Sequence, residues 1–394
     1  MTHVVDTNAM LSEGILTEAQ VSEIIRRSRA TMLALVTNIL LTAGIIAAAL
    51  GFVFWIADPV GVAILGLVFL VCGAAVLFKN SQLYSMLGNA AALVGAGMLF
   101  SGAAFELAEN YEHIAEWILI PLGAVSGLVA AWVFTRVPDR LRFSVGSVGL
   151  MGLALHLFGV ILAVDNAALS GWPMSLISLY GAVTIAAAGL FLNVRFVTAL
   201  AIVPFAQMLS TGTAYFHAAY VFYSPEPTLT IFQMLGLVLV CLWVGSRYSD
   251  RIARHTSTTS VMAMIVASLA FLVGSLWGDN VGEYMLREGR PAYNDFNDWS
   301  DYSAALEEWR SNFLHISEHV FSVVFAVVLI AAAWWSAMGA RRGLFNTAVT
   351  FLGIHAYTQM FETFSDEPMA WALGGLALIP LAWGMWRLND RLFG

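Results

Sequence analysis

The feature that most restricts this chain is a succession of apolar runs, each close to the length a helix needs to cross a bilayer. A hydrocarbon core of about 30 Å takes around 20 helical residues. Twelve runs qualify: 30–56, 60–78, 86–107, 114–135, 143–164, 173–192, 196–222, 229–245, 260–278, 314–336, 344–364 and 370–387. Transmembrane β-strands alternate over about ten residues, so these runs are too long for a barrel. The expected fold is all-α, a polytopic helical membrane protein with about twelve transmembrane helices paired successively into six helical hairpins. Composition agrees. Charged residues make up 11% of the chain, against about 25% in ordinary globular domains. That excludes a soluble enzyme, a basic nucleic-acid binder and a disordered linker. The first run follows Asp6, Glu13, Glu18 and Glu23 and exceeds the apolar core of a signal peptide, so it is expected to be retained.

The net charge of -8 conceals a division between two faces. With a cytoplasmic N-terminus, every one of the 18 basic residues except Arg287, Arg290 and Arg310 falls inside. Of the 26 acids, only Asp6, Glu13, Glu18, Glu23, Asp139, Asp250 and Asp390 do so. The positive-inside rule therefore predicts both termini in the cytoplasm. Tryptophans mark the same edges, with Trp55, Trp117, Trp172, Trp277 and Trp371 outside and Trp132, Trp243, Trp334, Trp335 and Trp386 inside.

Two domains are expected. Residues 1–29 form a cytoplasmic N-terminal amphipathic helix, in which Thr17 and Gln20 have capping-box spacing and Val21, Ile24 and Ile25 form an apolar stripe. It either lies on or runs into the membrane, or docks a cytosolic protein partner. Residues 30–394 form the transmembrane bundle, whose outer-face loop 279–312 either caps it or acts as a lid. Phe105-Glu106 and Ile120-Pro121-Leu122 are echoed by Phe361-Glu362 and Ile379-Pro380-Leu381, which fits a parallel hairpin repeat. Cys72 and Cys241 lie in apolar runs without any CxxC, so sulfur redox chemistry is not expected.

Ionisable groups inside a membrane are costly and are candidates for function. His113, His156, His217, His315, His319 and His355 map to the outer half or edge, as do Glu106, Glu116, Glu318 and Glu362. Two readings stand. The groups line an outward-facing aqueous cavity and exchange protons with it, or they hydrogen-bond one another and stabilise packing. In the inner half Gln207 stands out, because Pro204 and Gly212 break the seventh run near Gln207, Ser210 and Thr211. That is the best candidate for an unwound segment. His315-Ile316-Ser317-Glu318-His319 has the H-x-x-E-H form, and histidines at i and i+4 on a helix can chelate a divalent metal. Glu362 or Glu106 would then complete the set. No cofactor is expected otherwise.

Three functions follow. The first is a small-solute or ion transporter with a polar outward-facing cavity, its pathway drawn from His156, Gln207, His217, Glu318, His319, His355, Glu362 and Glu106. The alternatives are a non-transporting scaffold or envelope sensor signalling through the N-terminal helix, and an intramembrane metal-dependent enzyme. The expected partners are the lipid bilayer and a protein bound to the N-terminal helix, with no nucleic acid.

Gly14-Ile15-Leu16-Thr17-Glu18-Ala19-Gln20 resembles the opening of a group of uncharacterised prokaryotic multi-spanning membrane proteins. Near the end, Asn346, Gly353-Ile354-His355-Ala356-Tyr357-Thr358, Phe361-Glu362 and Gly374-Gly375 are similar too. The resemblance covers about the first and last 50 residues. It implies an inner-membrane protein with a cytoplasmic N-terminal helix, and it supplies neither an activity nor a catalytic residue.

Overall fold

A computed structural model describes residues 7–79, 84–169, 171–216, 221–286, 289–363 and 367–393. Among the described residues the chain is mostly helical, and it divides into two compact units, Met1–Ala168 and Leu169–Gly394. Among the described residues, nine helices are long and apolar enough to cross a membrane.

In the first unit, α1 (Thr7–Ser12) packs on α2 (Glu18–Ile56), a single helix of 39 residues. The capping box forms: the Gln20 amide donates to Thr17 Oγ1 at 3.3 Å, and the Thr17 amide donates to Gln20 Oε1 at 2.9 Å. Nothing breaks the chain between this cap and Ile56, so the amphipathic segment runs straight into the first span. α3 (Pro59–Phe78) starts at Asp58, whose carboxylate accepts from the Gly61 amide at 2.6 Å. α4 (Ser85–Asn110), α5 (Glu112–Phe134) and α6 (Asp139–Asn166) complete the unit.

The closest packing pairs α3 with α4 and α5 with α6, a register one helix away from the expected hairpins. Small residues decide this. A lipid environment offers helices no hydrophobic drive to associate, so backbones that approach closely have the advantage. A Cβ built on Gly66 would lie 2.5 Å from the Leu99 nitrogen, and one on Gly152 would lie 2.7 Å from the Gly127 nitrogen. Large apolar side chains such as Phe54, Trp55, Phe78 and Leu128 face outward instead. Exposed over whole helices, they fit lipid contact rather than water.

The second unit is built around α11 (Asp250–Trp277), the most enclosed of the long helices. α10 (Pro227–Arg247), α13 (Glu318–Met338) and α14 (Arg342–Thr363) pack against it, and α15 (Pro368–Phe393) lies against α14. Ala263, Ala267 and Ala270 let the neighbours close in, while Phe271 stacks on Phe325 with centroids 4.8 Å apart. Here too the tight pairs are α10–α11 and α13–α14, joined at turns flanked by arginine.

The run expected as a seventh span is interrupted. After α7 (Trp172–Leu192) the chain forms α8 (Arg195–Leu200) and α9 (Ile202–Gln207), each of six residues. It then leaves the helical path and forms an antiparallel ribbon, β1 (Ala214–Phe216) with β2 (Val221–Tyr223). The expected tenth span also starts later. Loop 278–317 holds β3 (Asp279–Val281), α12 (Trp299–Arg310) and β4 (Leu314–Ile316), with β3 pairing antiparallel to β4. α12 ends at Arg310 instead of running on into the span. Both ribbons lie at one end of the unit, the ribbon end, where α10 begins and α11 ends. Arg195, Arg247, Arg251, Arg254, Arg341 and Arg342 lie at the opposite, arginine end.

Candidate functional site

A helix that stops inside an apolar run strands its last carbonyls, and in lipid each would cost several kcal/mol (~2–7) unless paired. Backbone amides meet two of them, Met208 donating to the Phe205 carbonyl at 3.1 Å and Ser210 to that of Gln207 at 2.9 Å, and side chains add further bonds around the break. Thr211 Oγ1 donates to the Ala206 carbonyl at 3.1 Å, Gln233 Nε2 donates to the Phe205 carbonyl, and Gln207 Nε2 to that of Thr213. Backbone torsions make the reversal: Ser210 and Gly212 have positive φ. Gly212 is required twice over, since a Cβ there would sit 2.5 Å from the Tyr284 ring.

The turned chain closes on a cluster of buried hydroxyls. Thr213 Oγ1 lies 2.7 Å from Thr230 Oγ1, 3.1 Å from Ser224 Oγ and 3.1 Å from Thr211 Oγ1. Thr211 and Thr230 are wholly buried. On α10, Glu226, Thr230 and Gln233 follow at i, i+4 and i+7, so the cap and first two turns present a polar stripe. Gln233 Oε1 ends it as a buried acceptor without a donor.

Two carboxylates border the cluster. Glu226 is fully buried and accepts from the amides of Gly282 at 2.8 Å, Tyr284 at 2.5 Å and Met285 at 3.3 Å. Asp279 caps α10, accepting from the Thr228 amide at 3.0 Å, where the helix dipole favours an anion. Desolvation raises the pKa of both above the ordinary carboxylate range, and in each a neighbouring carboxylate adds to the rise. A cleft of about 410 Å³ opens beside them, lined by Asp279, Glu283, Asn280 and Ser224 with the rings of Phe222, Tyr223 and Trp277. Its rim is tied by Arg310, whose Nε donates to both Glu283 oxygens at 3.0 Å, and by Asn280, which donates to Glu283 at 2.9 Å. With Glu283 balanced by Arg310, the Asp279 carboxylate and the ring faces are what this cleft offers a small cation or an ammonium group.

The raised carboxylates predict how stability varies with pH. A group that binds its proton more tightly folded than unfolded favours the fold at low pH. The stabilising contribution of these two groups is fully present below their ordinary values of 4.5 for Glu226 and 3.8 for Asp279, and is lost as pH rises through their raised values. Thermal unfolding from pH 4 to 8 checks this. Glu226→Gln should flatten the slope.

The histidines do not gather into one site. His156 on α6 binds the Ile120 carbonyl through Nδ1 at 2.9 Å. On α14, His355 places Nε2 3.0 Å from the Ser322 carbonyl and sets its ring edge on Phe325, leaving Nδ1 buried without a partner. His315 is on β4, bonded through Nδ1 to Asn280 Oδ1 at 2.9 Å. His319 begins α13, 88% exposed and 3.7 Å from Glu318. His315 and His319 therefore share no helical face, because Ser317 caps α13 between them. Among the described residues no three His, Cys, Asp or Glu side chains group as metal ligands. Glu362 is exposed on the last turn of α14, Glu106 is half-buried on α4, and His217 lies outside the described residues.

Glu226, Asp279, Thr213, Ser224, Thr230 and Gln233 escaped the sequence reading, which looked for charge inside the spans. The polar spacing at the start of α10 was the available signal. No known protein family, curated protein or solved structure matches this chain.

Proposed function

We propose that this protein is a transporter of a small cationic solute, taken up through the cleft at the ribbon end. The observation that carries this reading is the crossing run that gives up its helix at Gln207 and replaces it with a buried hydroxyl cluster beside an acidic cleft. Non-helical backbone at membrane depth persists only where protein buries it or a water-filled cavity meets it, and interrupted helices are where transporters build their binding sites. Gln233 Oε1 extends the acceptor set below the cluster.

The surrounding topology belongs to the same proposal. Twelve crossings result when α8–α9 with its turned continuation, α14 and α15 are counted with the nine long helices. Both termini are then cytoplasmic and the ribbon end faces outward, as the distribution of basic residues supports. The resemblance at the two ends of the chain supports a prokaryotic inner membrane.

Proteoliposomes decide the matter. Purified protein should take up one or more of potassium, a primary amine and a quaternary amine faster than empty vesicles do. Thr230→Val keeps the side-chain shape and removes the hydroxyl; it should lower stability by about 1–3 kcal/mol and cut the rate per folded protein at least tenfold (~10). Flux confined to anions or neutral solutes would reverse the cation assignment, and no flux at all would end the transport reading.

A further inference from the structure

A second cleft lies at the arginine end of the same unit, with a volume of about 430 Å³. Its walls are the last turns of α10, the first turns of α11 and the turn between α13 and α14, including Ser246, Ser257, Arg341 and Arg342. We propose that this cleft binds a phosphate ester group, as the headgroup of an anionic lipid or as a free phosphorylated solute.

Three observations converge on that chemistry. First, two arginines and no carboxylate are among the residues that line the cleft. Arginine presents planar paired donors that match phosphate oxygens. Second, one of them is held in place: the Arg341 guanidinium stacks 4.0 Å above the Trp335 ring, which fixes a long side chain that would otherwise lose rotamer freedom on binding. Third, α14 opens onto the cleft. Its first helical residues are Arg342, Gly343 and Leu344, and Arg342, Gly343 and Leu344 all line the wall. Amides at that position have no carbonyl one turn earlier to bond, and they carry the positive end of the helix dipole. The left-handed Ala340, φ 51°, produces the sharp entry that brings the arginines and the helix start together. Ser257 adds an exposed hydroxyl on the facing wall.

The setting favours a ligand at headgroup depth. Trp243, Trp334 and Trp335 near the same end expose much of their rings, as interfacial tryptophans do. Basic pockets between membrane helices are suited to phosphate-bearing headgroups. This proposal is independent of the transport reading, because it concerns the opposite end of the unit and its test reads binding rather than flux.

The full-length protein in neutral detergent is titrated separately with inorganic phosphate and with phosphatidylglycerol, using phosphatidylcholine and sodium chloride of matched ionic strength as controls. Binding is read by native mass spectrometry and by the unfolding midpoint. Saturable binding of phosphate, phosphatidylglycerol or both, beyond the controls, is expected, and which of the two arms responds identifies the source. Arg342→Gln, at an exposed residue, should weaken that binding about tenfold, as should Arg341→Gln. Arg195→Gln, at the same end but outside the cleft, should leave it unchanged. If Arg341→Gln proves unstable, Arg342→Gln alone decides. Binding no stronger than in the controls, or binding that Arg342→Gln does not weaken, would overturn the proposal.

Discussion

Gly123→Val should lower the stability of the first unit by about 3 kcal/mol or more. A Cβ at Gly123 would land on the backbone of His156, 2.6 Å from its α-carbon and 2.7 Å from the Gly152 carbonyl oxygen. Backbone cannot rotate aside as a side chain can, so α5 and α6 must move apart along several turns. That separation also breaks the bond from His156 Nδ1 to the Ile120 carbonyl. Gly97→Val on α4 is the control, since the nearest atom to its added carbon is the flexible end of Met151 at 3.8 Å. Thermal unfolding in detergent should show a large loss for Gly123→Val and almost none for Gly97→Val. Equal effects would mean that α5 and α6 are not in contact along this face.

Glu226→Leu is the second large effect. The carboxylate, itself fully buried, satisfies three amides of the 282–285 turn, that of Gly282 buried and those of Tyr284 and Met285 partly so. Each buried donor left without an acceptor costs about 1–3 kcal/mol. Part of that is recovered, because the variant no longer buries a charge, so a net loss of about 3 kcal/mol is expected. Glu226→Gln keeps one acceptor oxygen and should lose about 1 kcal/mol. The midpoints should rank wild type, then Gln, then Leu at neutral pH. A Leu variant as stable as wild type would show that the turn holds itself without Glu226.

The long helices were legible in the sequence because apolar length is a strong signal. The run 173–192 becomes Trp172–Leu192, and 229–245, the weakest of the twelve by its length, becomes a helix of 21 residues that packs closely on α11. The break near Pro204 and Gly212 was legible as well, since one removes an amide and the other permits positive φ. Partner choice was not. Successive pairing by loop order gives α2 with α3, whereas the glycine faces place α3 against α4. Nor was the hydroxyl cluster. Thr211, Thr213, Ser224 and Thr230 are ordinary residues spread along the chain, and they meet only because the β1–β2 ribbon turns the chain back. The histidines are the most conspicuous titratable groups in the sequence, yet His156, His315 and His355 each bond a carbonyl or side-chain amide oxygen. The i, i+4 reading of His315 and His319 failed because Ser317 with Glu318 is itself a helix start.

If a cation passes the hydroxyl cluster by way of the ribbon-end cleft, thiol modification at Ser224 will report it. Ser224 lines the cleft and touches Thr213 with only 2% of its surface exposed, so a reagent reaches it only along the route a cation would take. In a background with Cys72→Ser and Cys241→Ser, Ser224→Cys should react with a cationic, membrane-impermeant thiol reagent at least tenfold (~10) faster than with its anionic counterpart. Reaction from the outer side should abolish cation uptake, and the transported cation should slow it. Full modification with uptake unchanged would contradict the account.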